Sequence, residues 1–289
     1  MSVPVEELYM LKTWFITGAS RGLGVQIAKA ALRAGDRVVA TGRQRSAIND
    51  QLGPDSDRLL SIPLDVTAAD RVQATVDAAV SRFGAIDVLV NNAGYGHLGF
   101  FEETTSEDVR AQFDTNLFGA LNVTRAVLPV MRAARRGRIF NISSIGGFRG
   151  SEFVSLYCAS KFALEGFSES LANEVAPFGL FVTIVEPGPF RTDFLTGESL
   201  RFGYHSVPDY DERRALARAS FERRNGRQPG DPAKLAEAIV RLASEAEPPL
   251  RFLAGAFAVN TADAKLAAMR TEFDRWRGLA VSTDGDNAA

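Results

Sequence analysis

The chain has 289 residues, 46% of them hydrophobic, which is enough to bury a sizeable core within one large α/β domain over 1–281. A net charge of −2 supplies no field to hold a nucleic-acid backbone or an anionic membrane, so neither is an expected partner. One cysteine, Cys158, and two histidines, His97 and His205, exclude a disulfide framework and a Cys/His zinc cluster, so no metal is expected; the absence of a basic-then-apolar leader or membrane-length apolar run makes the cytoplasm the default location.

Short β-branched or apolar runs at 14–16, 38–40, 59–64, 88–90, 139–142, 182–185 and 250–253 predict strands. Longer segments of helical period separate them, at 24–34, 68–83, 106–133, 156–176, 231–245 and 260–276, with Asp231-Pro232 a cap and first-turn signal. Parallel strands need crossover connections and bury both faces, so this alternation predicts an α/β parallel sheet covered by helices on both sides. Ligands then sit beyond the carboxyl ends of the strands. Between 193 and 227 the alternation stops, and a polar and aromatic insert with a helix near 209–224 reads as a lid or binding loop; a plain surface connection is the alternative. Residues 282–289 read as a disordered tail.

The first strand ends in Thr17-Gly18-Ala19-Ser20-Arg21-Gly22-Leu23-Gly24 and runs straight into a helix. Glycines there let the backbone turn and approach a pyrophosphate, whose charge is favoured by unpaired N–H groups at the helix start. At the end of the second strand, where NAD binders place a carboxylate for the ribose hydroxyls, the sequence reads Ala40-Thr41-Gly42-Arg43. Arg21 and Arg43 can each offer a forked cation to a 2′-phosphate, so NADP(H) is the expected cofactor and NAD(H) the second possibility. Two solvated arginines are the plainer reading of the same residues. Asp65 and Val66, after the third strand, would reach the adenine edge.

Tyr157 and Lys161 lie four residues apart in a helical segment, so their side chains share a face. A phenol near pKa 10 must drop by about three units, or ~4 kcal/mol, to exchange protons near neutrality. A cation about 4 Å away at an effective dielectric of ~20 supplies about that much, so Lys161 suffices on this arithmetic. Thirteen residues earlier the fifth strand ends in Asn141-Ile142-Ser143-Ser144, placing a hydroxyl at the same rim, where it can hold a substrate oxygen. The fourth strand ends in Asn91-Asn92-Ala93-Gly94, and Asn116 lies in the next helix.

Thr17 to Gly24, Asn91 to Gly94, Asn116, Ser144, Tyr157 with Lys161, and Pro187-Gly188 followed by Thr192 together resemble a classical short-chain dehydrogenase/reductase over about 180 residues. The stretch from Tyr157 to Gly166 is similar to the 17β-hydroxysteroid dehydrogenase-like branch. The resemblance implies a doubly wound Rossmann fold with seven parallel strands in the order 3-2-1-4-5-6-7. It implies that Tyr157 protonates a carbonyl oxygen, that Lys161 lowers its pKa and binds the nicotinamide ribose, and that Ser144 orients the carbonyl. It further implies that Asn116 holds a water in a proton relay, that Pro187, Gly188 and Thr192 seat the carboxamide, and that Phe190 lines the ring pocket. A homodimer or homotetramer through the helices at 106–133 and 156–176 is implied as well.

Tyr95, Phe148, Phe153, Phe194 and Tyr204 could form an apolar cleft for a small-molecule ketone, aldehyde or secondary alcohol, with core packing the alternative for each. Cys158 reads as a small buried filler, and His97, after the fourth strand, as a loop residue without function, with contact to substrate the alternative. Two other functions stay open: a cofactor-sensing protein that lost the chemistry, and a nucleotide-sugar epimerase or dehydratase. The complete set of Asn116, Ser144, Tyr157 and Lys161 argues against the sensor, and the three-residue gap between Gly18 and Gly22 against the epimerase.

Overall fold

The computed structural model describes residues 11–195, 199–203 and 205–285. In chain order the elements are β1 (Thr13–Ile16), α1 (Gly22–Arg33), β2 (Arg37–Gly42), α2 (Arg45–Leu52), β3 (Leu59–Pro63), α3 (Ala69–Phe83) and β4 (Val88–Asn91). There follow β5 (Gly96–Leu98), α4 (Ser106–Phe113), α5 (Gly119–Ala134), β6 (Gly137–Ile142), α6 (Ile145–Phe148) and α7 (Ser155–Val175). The chain continues through β7 (Leu180–Pro187), β8 (Leu200–Phe202), α8 (Asp211–Arg224), α9 (Pro232–Leu242), β9 (Arg251–Ala254) and α10 (Ala256–Val281).

Seven strands form one parallel sheet in the order β3-β2-β1-β4-β6-β7-β9. Numbered within the sheet alone, this is the expected 3-2-1-4-5-6-7. Successive side chains of a strand point to opposite faces, and both faces here are covered. Trp14 and Ile16 of β1 join Ile27, Leu235 and Ile239 in one core, while Phe15 between them joins Val76, Val127 and Leu171 in the other. β1 and β4 pair side by side, and the order of winding reverses between them, so the loops that follow these two strands leave the sheet in opposite directions and open a crevice there.

The structure departs from the sequence reading in several elements. α2 and the single-turn α6 were not expected; α2 buries only Ile48, so it carries no apolar period to recognise. The helix expected over 106–133 is interrupted by a π turn at Asp114–Phe118 between α4 and α5. α10 starts before 260 and continues past 276. The 193–227 insert contains β8, which pairs with β5 as a separate two-stranded parallel ribbon, and α8. Tyr204, 196–198 of the insert and 286–289 of the expected tail lie outside the described residues. No helix among the described residues is long and apolar enough to cross a membrane.

Candidate active site

A cleft of about 1250 Å³ opens beyond the carboxyl ends of β1, β2, β4, β6 and β7. Single small-molecule pockets run to about 1,000 Å³, so this one has room for a cofactor and a substrate together.

One end of the cleft is a glycine cradle. Gly18 (φ +65°) and Gly22 (φ +56°) take left-handed conformations that a Cβ would strain, and both line the cleft with Ser20, Arg21 and Leu23. Among the described residues no side chain caps α1, so its first N–H groups face the cradle unclaimed by a capping oxygen. Thr17 Oγ1 accepts from the backbone N–H groups of Asn92 (2.9 Å) and Ala93 (3.0 Å), and Asn92 Nδ2 donates back to the carbonyls of Thr17 and Gly18. These bonds lock the β1 and β4 loops together. Gly24, expected to touch the cofactor, does not line the cleft. A Cβ at Gly24 would lie 2.3 Å from the Gly18 carbonyl oxygen and 2.6 Å from Asn92 Nδ2, so this glycine lets α1 pack against the loop. Arg43, Asp65, Val66, Asn92, Ala93 and Gly94 line the next part of the cleft, and Asp65 is held by Thr67, whose N–H and hydroxyl both donate to it.

Across the cleft stand Ser144, Tyr157 and Lys161, with Pro187, Gly188, Phe190 and Thr192 completing the wall. Ser144 caps α6, its Oγ accepting from Gly146 N–H at 3.0 Å, and its hydroxyl stands near enough to Tyr157 to lower the pKa of the phenol. The spacing within α7 brings Lys161 Nζ to 5.8 Å from the Tyr157 ring centre, on the same helix face. Lys161 donates to the carbonyl of Ile142 at 2.7 Å, which ties it to the end of β6. Gly94 sits between Lys161 and Asn116: a Cβ there would be 3.8 Å from Nζ and 3.1 Å from Asn116 Oδ1.

Asn116 itself is buried in the π turn and does not line the cleft. Its side chain accepts from Tyr95 N–H (3.0 Å) and donates to Tyr95 carbonyl (3.0 Å) and Ser160 Oγ (3.2 Å). These bonds fill both amide hydrogens and one lone pair of Oδ1, so the water of the relay implied for Asn116 would meet its second lone pair or its backbone carbonyl. Asn116 positions the β4 loop against α7.

The electrostatics differ from the simple arithmetic of one cation beside one phenol. Burial pushes the Tyr157 phenol up to about 12, with the Ser144 hydroxyl acting in the opposite direction. Burial also draws Lys161 down to about 8, opposed by Glu165. Lys161 does not acidify Tyr157 to neutrality by itself, because the ammonium bears its own desolvation cost and is directed to the Ile142 carbonyl. From the protein's own groups, the phenol stays protonated through the neutral range.

Of the aromatic residues expected around the substrate, Tyr95, Phe153 and Phe194 line the cleft and Phe148 does not. Phe148 closes the one-turn α6, and its ring lies 5.7 Å from the Arg251 guanidinium at the β9 edge, away from Tyr157. Phe194 packs against Tyr157 with ring centres 5.5 Å apart. Phe153 adopts φ +70°, a strained backbone for a bulky residue, held by the bond from Gly99 N–H to its carbonyl (2.9 Å) and by edge contact with Phe100. His97 is buried on β5, 3.4 Å from Asp108, and Cys158 is a buried free thiol whose pKa burial raises. Leu98, Leu200, Leu216 and Phe221 also line the cleft. Sequence reasoning missed them because three-residue strands and a polar-looking α8 carry no period to reveal an inward face.

Residues 12–200 match the short chain dehydrogenase family. The chain is 38% identical to "Oxidoreductase BOA17" of Botryotinia fuckeliana, over 95% of this chain and 100% of that protein. It is 41% identical to a 3-ketodihydrosphingosine reductase of Bacteroides thetaiotaomicron, over 83% and 86%. Among solved structures, a short-chain dehydrogenase from Streptomyces avermitilis superposes with a TM-score of 0.87 at 41% identity, covering 96% of this chain and 100% of that one. A 3-ketoacyl-(acyl-carrier-protein) reductase from Brucella melitensis, complexed with NADH, aligns at TM-score 0.69 and 29% identity over 81% and 90%. ElxO with NADP bound aligns at 0.69 and 28% over 83% and 94%. Matching sequence, sheet order and cleft position agree: the chain belongs to the short-chain dehydrogenase family of oxidoreductases.

Proposed function

We propose that this protein is an NADP(H)-dependent oxidoreductase that interconverts a ketone or aldehyde with the corresponding alcohol on a largely apolar substrate, with Tyr157 as general acid/base. The observation that carries this reading is the placement of Ser144, Tyr157 and Lys161 on one wall of a cleft whose other end is the glycine cradle of α1. The donor set of the cradle fits a dinucleotide: left-handed glycines, uncapped helix N–H groups and a backbone held open by Asn92 and Thr17. Relatives of known structure with NADH and NADP support a nicotinamide cofactor. Arg43 beside Gly42, with no carboxylate at the end of β2, favours a 2′-phosphate.

A nicotinamide bound there would supply or take the hydride. Ser144 would hold the carbonyl oxygen, and the protonated Tyr157 would deliver its proton to that oxygen during reduction. Lys161, fixed by the Ile142 carbonyl, would stabilise the phenolate left behind and reach a ribose hydroxyl. Asn116 would set the loop carrying Gly94 and Tyr95. Pro187, Gly188, Phe190 and Thr192 would flank the nicotinamide end, and Asp65 with Val66 the adenine end. We read the chain as a homodimer or homotetramer.

The test is a carbonyl substrate panel followed by NADPH and, in parallel, NADH absorbance. Tyr157→Phe should retain cofactor binding and lose about 10²-fold or more in turnover, and NADPH should be preferred. A Tyr157→Phe enzyme turning over at the wild-type rate would remove Tyr157 as proton donor.

A further inference from the structure

The substrate half of the cleft has an apolar floor and a basic rim. Leu98, Phe153, Phe194, Leu200 and Phe221 supply the floor, three of them aromatic. Four arginines line the same half, Arg149, Arg201, Arg213 and Arg224, against three acids, Asp114, Glu152 and Asp193. This imbalance stands out on a chain whose net charge is −2.

The arginines are not equivalent. Arg213 is spent on Glu152, to which it donates through Nε (3.1 Å) and a terminal nitrogen (2.8 Å). Arg224 donates to the Ser220 carbonyl and lies over the Phe221 ring. Arg201, on β8, instead lies 4.9 Å from the centre of the Tyr95 ring and has no carboxylate partner among the described residues, and neither has Arg149. Stacking on an aromatic face fixes the plane of a guanidinium while leaving its N–H edge available. The stack also places it close to the reacting centre. Tyr95 adjoins Gly96, a Cβ on Gly96 would lie 3.0 Å from the Phe194 ring, and Phe194 packs on Tyr157. An apolar wall therefore runs from the phenol to a held cation.

We propose that the substrate is an amphipathic carbonyl compound whose apolar body lies along Phe194, Leu200, Phe153 and Phe221 and whose anionic head, a carboxylate or a phosphate monoester, is bound by Arg201 with Arg149 assisting. The inference rests on the reading of this cleft as the substrate site of an oxidoreductase. Both head groups accept a forked pair of hydrogen bonds from one guanidinium, whereas an ammonium head would meet repulsion.

Binding rather than turnover tests it, so that the outcome does not depend on the redox chemistry. Octanoate, octyl phosphate, octanol and octylamine are titrated calorimetrically into the full chain, with and without NADP⁺. At least one of octanoate and octyl phosphate should bind about tenfold or more tighter than octanol, and octylamine weakest; which of the two wins identifies the head group. Arg201→Gln should bring the anion within about twofold of octanol, Arg201→Lys should keep part of the preference, and Arg218→Gln, on α8 outside the cleft, should keep all of it. Octanol binding as tightly as both anions, or an anion preference unchanged in Arg201→Gln, overturns the proposal. Anion binding that depends on Arg201 in a protein that reduces no carbonyl would instead sink the oxidoreductase reading, and with it the carbonyl of the proposed substrate, leaving only the amphipathic anion site.

Discussion

Lys161 is a buried cation with a cost, and that cost sets a pH dependence. Its side chain is 6% exposed, Nζ donates to the Ile142 carbonyl, and burial lowers its pKa from 10.5 to about 8 against the pull of Glu165. Between about 8 and 10.5 the unfolded chain still binds this proton and the folded chain does not. The contribution of Lys161 to stability therefore rises with pH across that window and is least favourable below 8, where the buried ammonium is fully charged. Its service to Tyr157 runs the other way, because only the ammonium stabilises a phenolate. Carbonyl reduction should be level up to about pH 7 and decline through about 8, well before Tyr157 itself loses its proton near 12. In Lys161→Arg, whose cation does not discharge, the decline should move beyond pH 9 whatever the absolute rate. A wild-type pH–rate profile flat to pH 9 would separate Lys161 from the proton transfer. The Tyr157–Lys161 pair was legible in the sequence because a spacing of four in a long helix fixes two side chains on one face. Phe148 was not, since the direction of a residue in a one-turn helix depends on where that turn begins. Nor was the pKa balance, which depends on burial that only the fold supplies.

The last strand of the sheet is fastened by a cluster of charges whose members come from three elements. Arg251 of β9 bonds Glu165 (2.9 Å) and Glu169 (2.6 Å) of α7 and Glu186 of β7, and Glu165 also accepts from Ser143 Oγ at 2.6 Å. One guanidinium thus faces three carboxylates directly behind the strand end that carries Ser144. Burial and the neighbouring Glu165 raise Glu186 to about 7, against the lowering effect of Arg251, and Glu186 Oε2 has no hydrogen-bond partner among the described residues. With the folded value above the ordinary 4.5, the folded chain holds the extra proton between about 4.5 and 7, and stability falls as pH rises through that range. Glu186→Gln should therefore raise the melting temperature relative to wild type at pH 8 and lose most of that advantage at pH 5, as read by thermal denaturation at the two pH values. Arg251→Met should cost about 3 kcal/mol at pH 8, because it leaves buried carboxylates without their cation. Such a cluster cannot be read from sequence, as Glu165, Glu186 and Arg251 meet only once β7 and β9 pair and α7 packs on them. Long periodic elements such as α3 and α7 and the two-sided β1 were legible from their apolar spacing. The π turn at Asp114–Phe118 and the β5–β8 ribbon were not, since an i→i+5 turn changes no residue type and strands of three residues hold no period.

At the scale of the whole molecule, two of the surfaces that leave large apolar side chains in water lie on helices. Phe118 (50% exposed) and Phe162 (42% exposed) belong to the π turn and to α7, on the helix layer expected to pair between subunits. Leu266, Phe273 and Trp276 are each more than half exposed on α10, whose last turns stand clear of the sheet. A helical segment of such length is marginal in water unless an apolar face is packed. Burying a phenylalanine side chain is worth about 2 kcal/mol, and a two-fold axis counts each residue twice. A homo-oligomer using the Phe118 and Phe162 surface should accordingly tolerate the loss of neither ring to a charge. At micromolar concentration the wild-type chain should elute in gel filtration as a multiple of 31.3 kDa, and the Phe118→Glu, Phe162→Glu double variant should shift toward a single 31.3 kDa chain with an unchanged circular dichroism spectrum. Because neither side chain belongs to a buried core cluster, a shift in elution with the spectrum kept reports on assembly, and a lost spectrum would instead reveal a folding role. A wild-type chain that elutes as one copy would leave these rings without a partner and withdraw the oligomer from the proposed function.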